Sequence, residues 1–234
     1  MNMLKLSVLL FVSALPCFAG SFTDSRDGQS YKTVEIGNQT WMAENLNYAA
    51  PGSNCYRGKD ANCTKFGRNY HYKSATQACP AGWHLPTEAE VRLLLIAAGG
   101  RHDCQVFEND TICGFEGEEF YFDSDLCSKK GWASGGGKNK YGFSAKPARY
   151  KEFVIEGKQT DYGCGVGFDG QPIAKQCALF WGVEDGGGCG VLLGLYGKTG
   201  ASLSGLLLCE DGDLKIDASV RCVQDSDTEK SQVR

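Results

Sequence analysis

Twelve cysteines form the most reactive residue set in this 234-residue chain. Zinc sites are commonly built on C-x-x-C pairs, and no such pair occurs anywhere in the sequence. The cysteines therefore favour disulfides, which form and persist in oxidising compartments. Neighbouring cysteines suggest local pairs, which are Cys55–Cys63, Cys104–Cys113, Cys164–Cys177 and Cys189–Cys209.

A second candidate chemistry is calcium binding by clustered carboxylates. Calcium prefers oxygen ligands, and an acidic stretch between positions 116 and 125 offers several of them. The candidate ligands are Glu116, Glu118, Asp123 and Asp125. Their spacing does not follow an EF-hand, so solvated acidic loops are favoured over a cation site. We therefore expect no required cofactor, with calcium as the alternative.

The remaining chemical motifs are weak. Residues 165–170 match G-x-G-x-x-G, but Pro172 follows and no helix pattern continues, which favours a glycine-rich loop over a dinucleotide site. No histidine lies in a recognisable nucleophile motif, and His84 is expected to be a packed structural residue. A formal net charge of −4, spread over mixed signs, gives no concentrated basic face, so no nucleic-acid partner is expected.

The first residues of the chain carry the pattern of a secretory signal. Lys5 gives a positive start, residues 6–15 are apolar, and the small residues Ala19 and Gly20 follow. We expect a signal peptide over residues 1–19 with cleavage after Ala19, in preference to lipidation of Cys17. The apolar run is too short to span a bilayer, and no second one appears. The pattern predicts a secreted or cell-surface protein with no membrane span.

The mature chain is expected to form a single α+β domain over residues 20–225, with a disordered tail over 226–234. β-Formers at 31–36, followed by Gly37-Asn38 and a second β-like run, predict an N-terminal hairpin.

One helix signal is strong. Thr87 and Glu90 have the spacing of a capping box and open a helix over about residues 87–98. Residues 101–140 are acidic and rich in glycine, which predicts an insertion of loops. Short β-like runs then return at 153–155, 178–183, 191–196, 203–208 and 218–223.

Several blocks of the sequence resemble one family. Residues 27–48, DGQSYKTVEIGNQTWMAENLNY, resemble the opening signature of the Fibrobacter succinogenes major paralogous domain family. Later blocks follow in the family's order, among them CPAGWHLPTEAE at 79–90, YGFSA at 141–145 and SVRCV at 219–223. Residues 85–90 also resemble the helix-opening motif of the formylglycine-generating, sulfatase-modifying group, which has a C-type-lectin-like fold.

The resemblance implies a C-type-lectin-like mixed fold in which the first and last strands meet. It places Cys79, before the main helix, beside Cys222 in the last strand, so a Cys79–Cys222 disulfide is expected. With the local pairs, this leaves Cys127 as the odd thiol, open to alkylation in the unreduced protein. Members of the family are exported, and many have no assigned molecular function.

We expect an exported, non-catalytic binding or adhesion module whose partner is an extracellular polysaccharide or an envelope protein. Tyr162, Trp181 and Tyr196 are the candidate ligand-surface residues, because exposed rings stack on sugar faces, although most aromatic side chains are core residues. One alternative is an oxidative enzyme resembling the formylglycine-generating group, but no reactive-cysteine motif surrounds Cys189 or Cys209. A structural envelope protein is the other alternative.

Overall fold

The computed structural model describes residues 20–102, 105–107, 110–112, 118–121, 124–132, 135–147, 153–155, 158–160, 177–195, 201–208 and 217–226. The signal peptide predicted over residues 1–19 lies outside them, as does the predicted tail beyond Ser226. Within the described part of the chain the fold is mixed α+β, with two larger sheets, two short hairpins and a few helices.

The strands, in chain order, are β1 (Gly20–Thr23), β2 (Ser30–Ile36), β3 (Gln39–Met42), β4 (Ser53–Asn54), β5 (Asn69–His71), β6 (Trp83–His84), β7 (Arg101–His102), β8 (Gln105–Phe107), β9 (Asp110–Ile112), β10 (Glu118–Tyr121), β11 (Phe153–Ile155), β12 (Lys158–Thr160), β13 (Ala178–Val183), β14 (Gly190–Leu195), β15 (Ala201–Leu208), β16 (Asp217–Ser219) and β17 (Val223–Gln224). The helices are a 3₁₀ turn (Tyr56–Gly58), α1 (Asp60–Phe66), α2 (Tyr72–Ala75) and α3 (Glu88–Ala97).

Most of the strands belong to one of two larger sheets. One has the strand order β1-β2-β3-β17-β6, and the other has the order β4-β5-β16-β13-β14-β15-β10-β7. Neighbouring strands are antiparallel except β13 and β16, which are parallel. The pairs β8–β9 and β11–β12 form separate hairpins. Strands from both ends of the chain therefore lie side by side in the first sheet.

The predicted N-terminal hairpin is present as β2 and β3. Tyr31 and Thr33 on one face of β2 and Val34 and Ile36 on the other are buried, while Lys32 and Glu35 are exposed, so both faces of the strand pack against other parts of the protein. Gly37 has a φ of 63°, a left-handed conformation that glycine adopts without the steric cost of a Cβ atom. Turn chemistry and apolar patterning together fix this hairpin.

The predicted main helix is present as α3. The Thr87 side chain accepts a hydrogen bond from the backbone N–H of Glu90, and the Glu90 carboxylate accepts one from the backbone N–H of Thr87, which completes the capping box. Val91, Leu94 and Leu95 face the core. The backbone N–H of Val183 donates to the carbonyl of Pro86 at 2.9 Å, so the start of α3 is docked on β13.

One expectation for the middle of the chain needs correction. The segment 101–140 was expected to form loops, yet it contributes β7 to β10, because β10 pairs with both β15 and β7, and β8 pairs with β9. The stretch around Cys55 and Cys63 contains α1, which the sequence did not predict because the helix is only seven residues long and lacks a strong apolar period.

The last strand closes the first sheet. Val223 lies opposite Trp41 of β3 on one side and His84 of β6 on the other. Cys222 is bonded to Cys79, and the Cys55–Cys63 bond is present as well. These are the long-range and the first local disulfides expected from the sequence. Among the described residues, no helix has both the length and the apolar character needed to cross a membrane.

Candidate binding cleft

A cleft of about 450 Å³ opens between four segments that are distant in sequence. It lies among β2, the chain just after β3, the C-terminal half of α1 and the loop at 139–146. Its volume falls within the range typical of small-molecule sites, although its lining is mostly polar. The polar and charged residues of the lining include Lys32, Glu44, Asn45, Asn47, Lys65, Asn139, Ser144, Lys146 and Arg221.

Arg221 forms the floor of the cleft and is 1% exposed. Its Nε donates to Oδ1 of Asn45 at 2.8 Å, and its Nη atoms donate to the backbone carbonyls of Phe143 and Ser144. The guanidinium also stacks over the rings of Phe143 and Phe180. Burial lowers the pKa of Arg221 to about 9, so the group keeps its charge at neutral pH. These hydrogen-bond partners are neutral, and the Glu44 carboxylate offsets part of the guanidinium charge through space.

Asn45 joins the floor to the wall formed by α1. Its Nδ2 donates to the carbonyl of Phe66 at 2.8 Å and to the Ser219 hydroxyl at 3.1 Å. The helix ends at Gly67, whose φ is 76° and where an added Cβ would lie 2.6 Å from Cβ of Asn45. A glycine is therefore required at this position twice over, by backbone conformation and by the close approach of α1 to the cleft wall.

The opposite wall is formed by buried polar groups near β2. Tyr31 is 4% exposed, and its hydroxyl oxygen accepts a hydrogen bond from the backbone N–H of Asn47 at 3.0 Å. Burial raises the pKa of Tyr31 to about 12, so the phenol stays neutral. Oδ1 of Asn47 is buried, with no hydrogen-bond partner in the described part of the chain. The cleft wall therefore contains an unsatisfied acceptor.

The rim of the cleft is cationic. Lys32, Lys65 and Lys146 are exposed, and Nζ of Lys146 donates to the carbonyl of Lys65 at 3.1 Å. Among the described residues that line the cleft, Glu44 is the one carboxylate, and its Oε2 accepts from the backbone N–H of Lys32. Cations outnumber anions here, in a chain whose net charge is −4.

The loop that completes the cleft is held in place by close backbone contacts. An added Cβ at Gly137 would lie 2.4 Å from the carbonyl oxygen of Cys127, so only glycine fits there. Oδ1 of Asn139 accepts from the backbone N–H of Ser144 at 2.7 Å, and both residues have a positive φ. The residues at 139–146 are therefore positioned by a specific packing arrangement.

Trp181, expected on a ligand surface, is a core residue. It is 1% exposed, and its Nε1 donates to the backbone carbonyl of Tyr70 at 2.7 Å. The prediction was wrong because β13 lies inside the eight-stranded sheet, where five of its six residues are buried. Tyr162 and Tyr196, the other two candidates, lie outside the described residues.

The calcium candidates are only partly described. Asp125 is 6% exposed, and its carboxylate lies 3.9 Å from Nζ of Lys138 and 3.7 Å from Nζ of Lys140. In the described ranges, no group of three or more His, Cys, Asp or Glu side chains is arranged to hold a metal ion. The side chains outside the described set include those of Glu116, Glu118 and Asp123. Calcium binding at residues 116–125 stays the alternative to solvated acidic loops.

His84 is placed between two carboxylates. Its Nδ1 lies 2.8 Å from Oδ1 of Asp225, and its Nε2 lies 2.9 Å from Oε2 of Glu90. Burial raises the pKa of Glu90, but hydrogen bonds from His84 and Thr87 outweigh it, and the net pKa is below the ordinary value. The histidine thus links α3 to the segment after β17.

The other described cysteines account for part of the expected disulfide map. Cys177 and Cys189 are disulfide-bonded. Their expected partners, Cys164 and Cys209, lie outside the described residues, as do Cys104 and Cys113. Cys127 carries a thiol rather than a disulfide, and its side chain is fully buried.

Alkylation of the unreduced, native protein is expected to leave Cys127 unlabelled, in contrast to the expectation from sequence. Thiol alkylation requires access of the reagent to the thiolate, and the exposed fraction of Cys127 is 0%. The same reagent added in denaturant without a reductant should label it. Peptide mapping by mass spectrometry checks both conditions, and rapid labelling of the native protein would contradict this burial.

The cleft could not be predicted from the sequence. Residues 44–47 and Arg221 lie in blocks that carry the family resemblance, but nothing in the sequence indicates that they meet Lys65 and Lys146. Their proximity depends on the pairing of β17 with β3 and on the packing of α1.

Comparison with known protein families gives a match over most of the chain. Residues 34–224 match the Fibrobacter succinogenes major domain, a range that includes most of the hairpin, α3 and the last strand. No curated protein and no solved structure matches the chain. Because the match spans well over half of the sequence, the chain belongs to the Fibrobacter succinogenes major domain family.

Proposed function

We propose that this protein is an exported, non-catalytic binding module of the cell surface or extracellular space, and that the cleft above Arg221 is its ligand site. The observation that carries this proposal is a concave, polar cleft with a buried cation at its floor and exposed cations at its rim. Concave sites with a few convergent polar groups are where ligands are commonly held. The partner class is an extracellular polysaccharide or an envelope protein.

The proposed scaffold is C-type-lectin-like. Two features support it: β17 lies between β3 and β6, and the Cys79–Cys222 bond joins the segment before α3 to the last strand. Both arrangements are what the lectin-like analogy implies. Likeness of fold does not transfer a chemistry, so the function rests on the cleft alone.

The proposed export rests on two observations. The first is the signal-like pattern of residues 1–19. The second is the disulfide content, since bonds such as Cys55–Cys63 and Cys79–Cys222 persist where glutathione does not reduce them. An oxidising destination outside the cytoplasm accounts for both.

Purified mature protein is expected to be retained on at least one insoluble polysaccharide or purified envelope fraction, and to show no turnover of ester, glycoside or peptide substrates. A pull-down with and without a chelator measures retention, and a loss of retention with chelator would indicate calcium in the acidic stretch. No retention on any of these materials would contradict the binding function. Oxygen consumption with a cysteine-containing peptide would favour the oxidative-enzyme alternative.

A further inference from the structure

We propose that the cleft above Arg221 selects a carboxylate-bearing saccharide, such as a uronic acid unit of an extracellular polysaccharide. This inference rests on the proposed binding function and names the ligand class of the same site.

The charge of the cleft is opposite to that of the whole chain. Arg221, Lys32, Lys65 and Lys146 contribute four cations to the lining, against the single carboxylate of Glu44. The full chain has 24 Lys and Arg residues against 28 Asp and Glu residues. A local excess of cations in a concave site with protein walls attracts anions more strongly than the same charges on a flat, hydrated surface.

The floor cation is not neutralised by its direct hydrogen-bond partners. Arg221 donates to backbone carbonyls and to an amide oxygen, all of which are neutral groups. The Glu44 carboxylate offsets part of this charge, and because the guanidinium is buried, water screens the remaining field weakly on the side of the cleft. A ligand carboxylate would gain from this field without requiring Arg221 to move.

The polar lining favours a sugar over an acidic peptide. The Ser144 hydroxyl and the side-chain amide of Asn139 can both donate and accept hydrogen bonds, as ring hydroxyls require. Oδ1 of Asn47 is buried without a partner among the described residues, and because such an acceptor is costly, a small shift of the wall that lets a ligand hydroxyl donate to it would be favoured. A peptide would instead need apolar pockets for its side chains, and few apolar groups line this cleft.

The probe is polygalacturonate, compared with the same polymer after chemical reduction of its carboxyl groups. Affinity electrophoresis or calorimetry should show binding of polygalacturonate that is about tenfold or more tighter than binding of the reduced polymer, as expected for several ion pairs acting together. The difference in affinity between the two polymers should largely disappear when the salt concentration is raised from about 0.1 M to about 1 M. The reason is that the Debye screening length shortens from roughly 10 Å to 3 Å.

Lysine variants inside and outside the cleft locate the site. Lys32→Gln and Lys146→Gln should each weaken binding of polygalacturonate about two- to threefold, and the double variant about five- to tenfold, in line with exposed ion pairs. Lys73→Gln, at an exposed lysine of α2 outside the cleft, is the matched control and should leave binding nearly unchanged. Thermal unfolding should be the same for all of them.

Four results would overturn the proposal. They are equal binding of charged and reduced polymer, equal losses from Lys73→Gln and the cleft variants, equal binding of a sulfated polysaccharide, and equal binding of polyglutamate at matched charge. Retention on a neutral polysaccharide alone would contradict the proposed carboxylate specificity and leave the proposed binding function intact. No retention on any material would contradict both proposals.

Discussion

Replacing both members of the Cys79–Cys222 disulfide by alanine is expected to lower the free energy of unfolding by about 5 kcal/mol, because the bond closes a long loop. The two cysteines are 143 positions apart, and in the chain-entropy description the stabilisation grows with the logarithm of loop length. The bond also fixes the last strand where the backbone N–H of Met42 donates to the carbonyl of Cys222 at 3.1 Å. Denaturant unfolding under non-reducing conditions measures the change.

The Cys55–Cys63 pair provides the matched control. Its sequence separation is only 8, so Cys55→Ala with Cys63→Ala should cost about 2.5 kcal/mol in the same description. Both double variants lose the same atoms and one bond each, and they differ mainly in loop length. Equal losses, or a larger loss from the short loop, would show that the Cys79–Cys222 bond does not act mainly by restricting the unfolded chain.

Features with a local cause could be predicted from the sequence. The hairpin follows from β-formers around a glycine turn, and α3 follows from a capping box ahead of an apolar run. The strands at β13 and β15 were also predicted within two residues of their observed bounds. In each case the signal lies within a few neighbouring residues, which is the range over which propensity and periodicity act.

Features that depend on tertiary context could not be predicted. Strand β10 forms because β15 and β7 offer it backbone partners, and nothing in its own composition requires that pairing. The cleft brings together residues 32, 65, 146 and 221, and only the folded chain makes them neighbours. Trp181 was misassigned for the same reason, since an aromatic residue in a short strand has the same local sequence whether its face is covered or exposed.

Replacing Trp181 by alanine is expected to cost about 3 to 5 kcal/mol of unfolding free energy, because the indole fills a closed part of the core. An added Cβ at Gly190 would lie 2.9 Å from Cζ3 of Trp181, so the neighbouring strand is already in tight contact with the ring. The substitution would leave a cavity there, and it would remove the donor to the Tyr70 carbonyl. Denaturant unfolding of the purified variant measures the loss.

Two control variants and a binding assay distinguish a core role of Trp181 from a role in ligand contact. Trp181→Phe keeps an aromatic ring and should lose less than the alanine variant, while Ile96→Ala, at a side chain 60% exposed on α3, should change stability by less than about 0.5 kcal/mol. Under conditions where the Trp181→Ala variant is still folded, its retention on polysaccharide should match that of the unsubstituted protein, because Trp181 does not line the cleft. Unchanged unfolding together with weakened retention would return Trp181 to the ligand surface and would place the binding site on β13 rather than above Arg221.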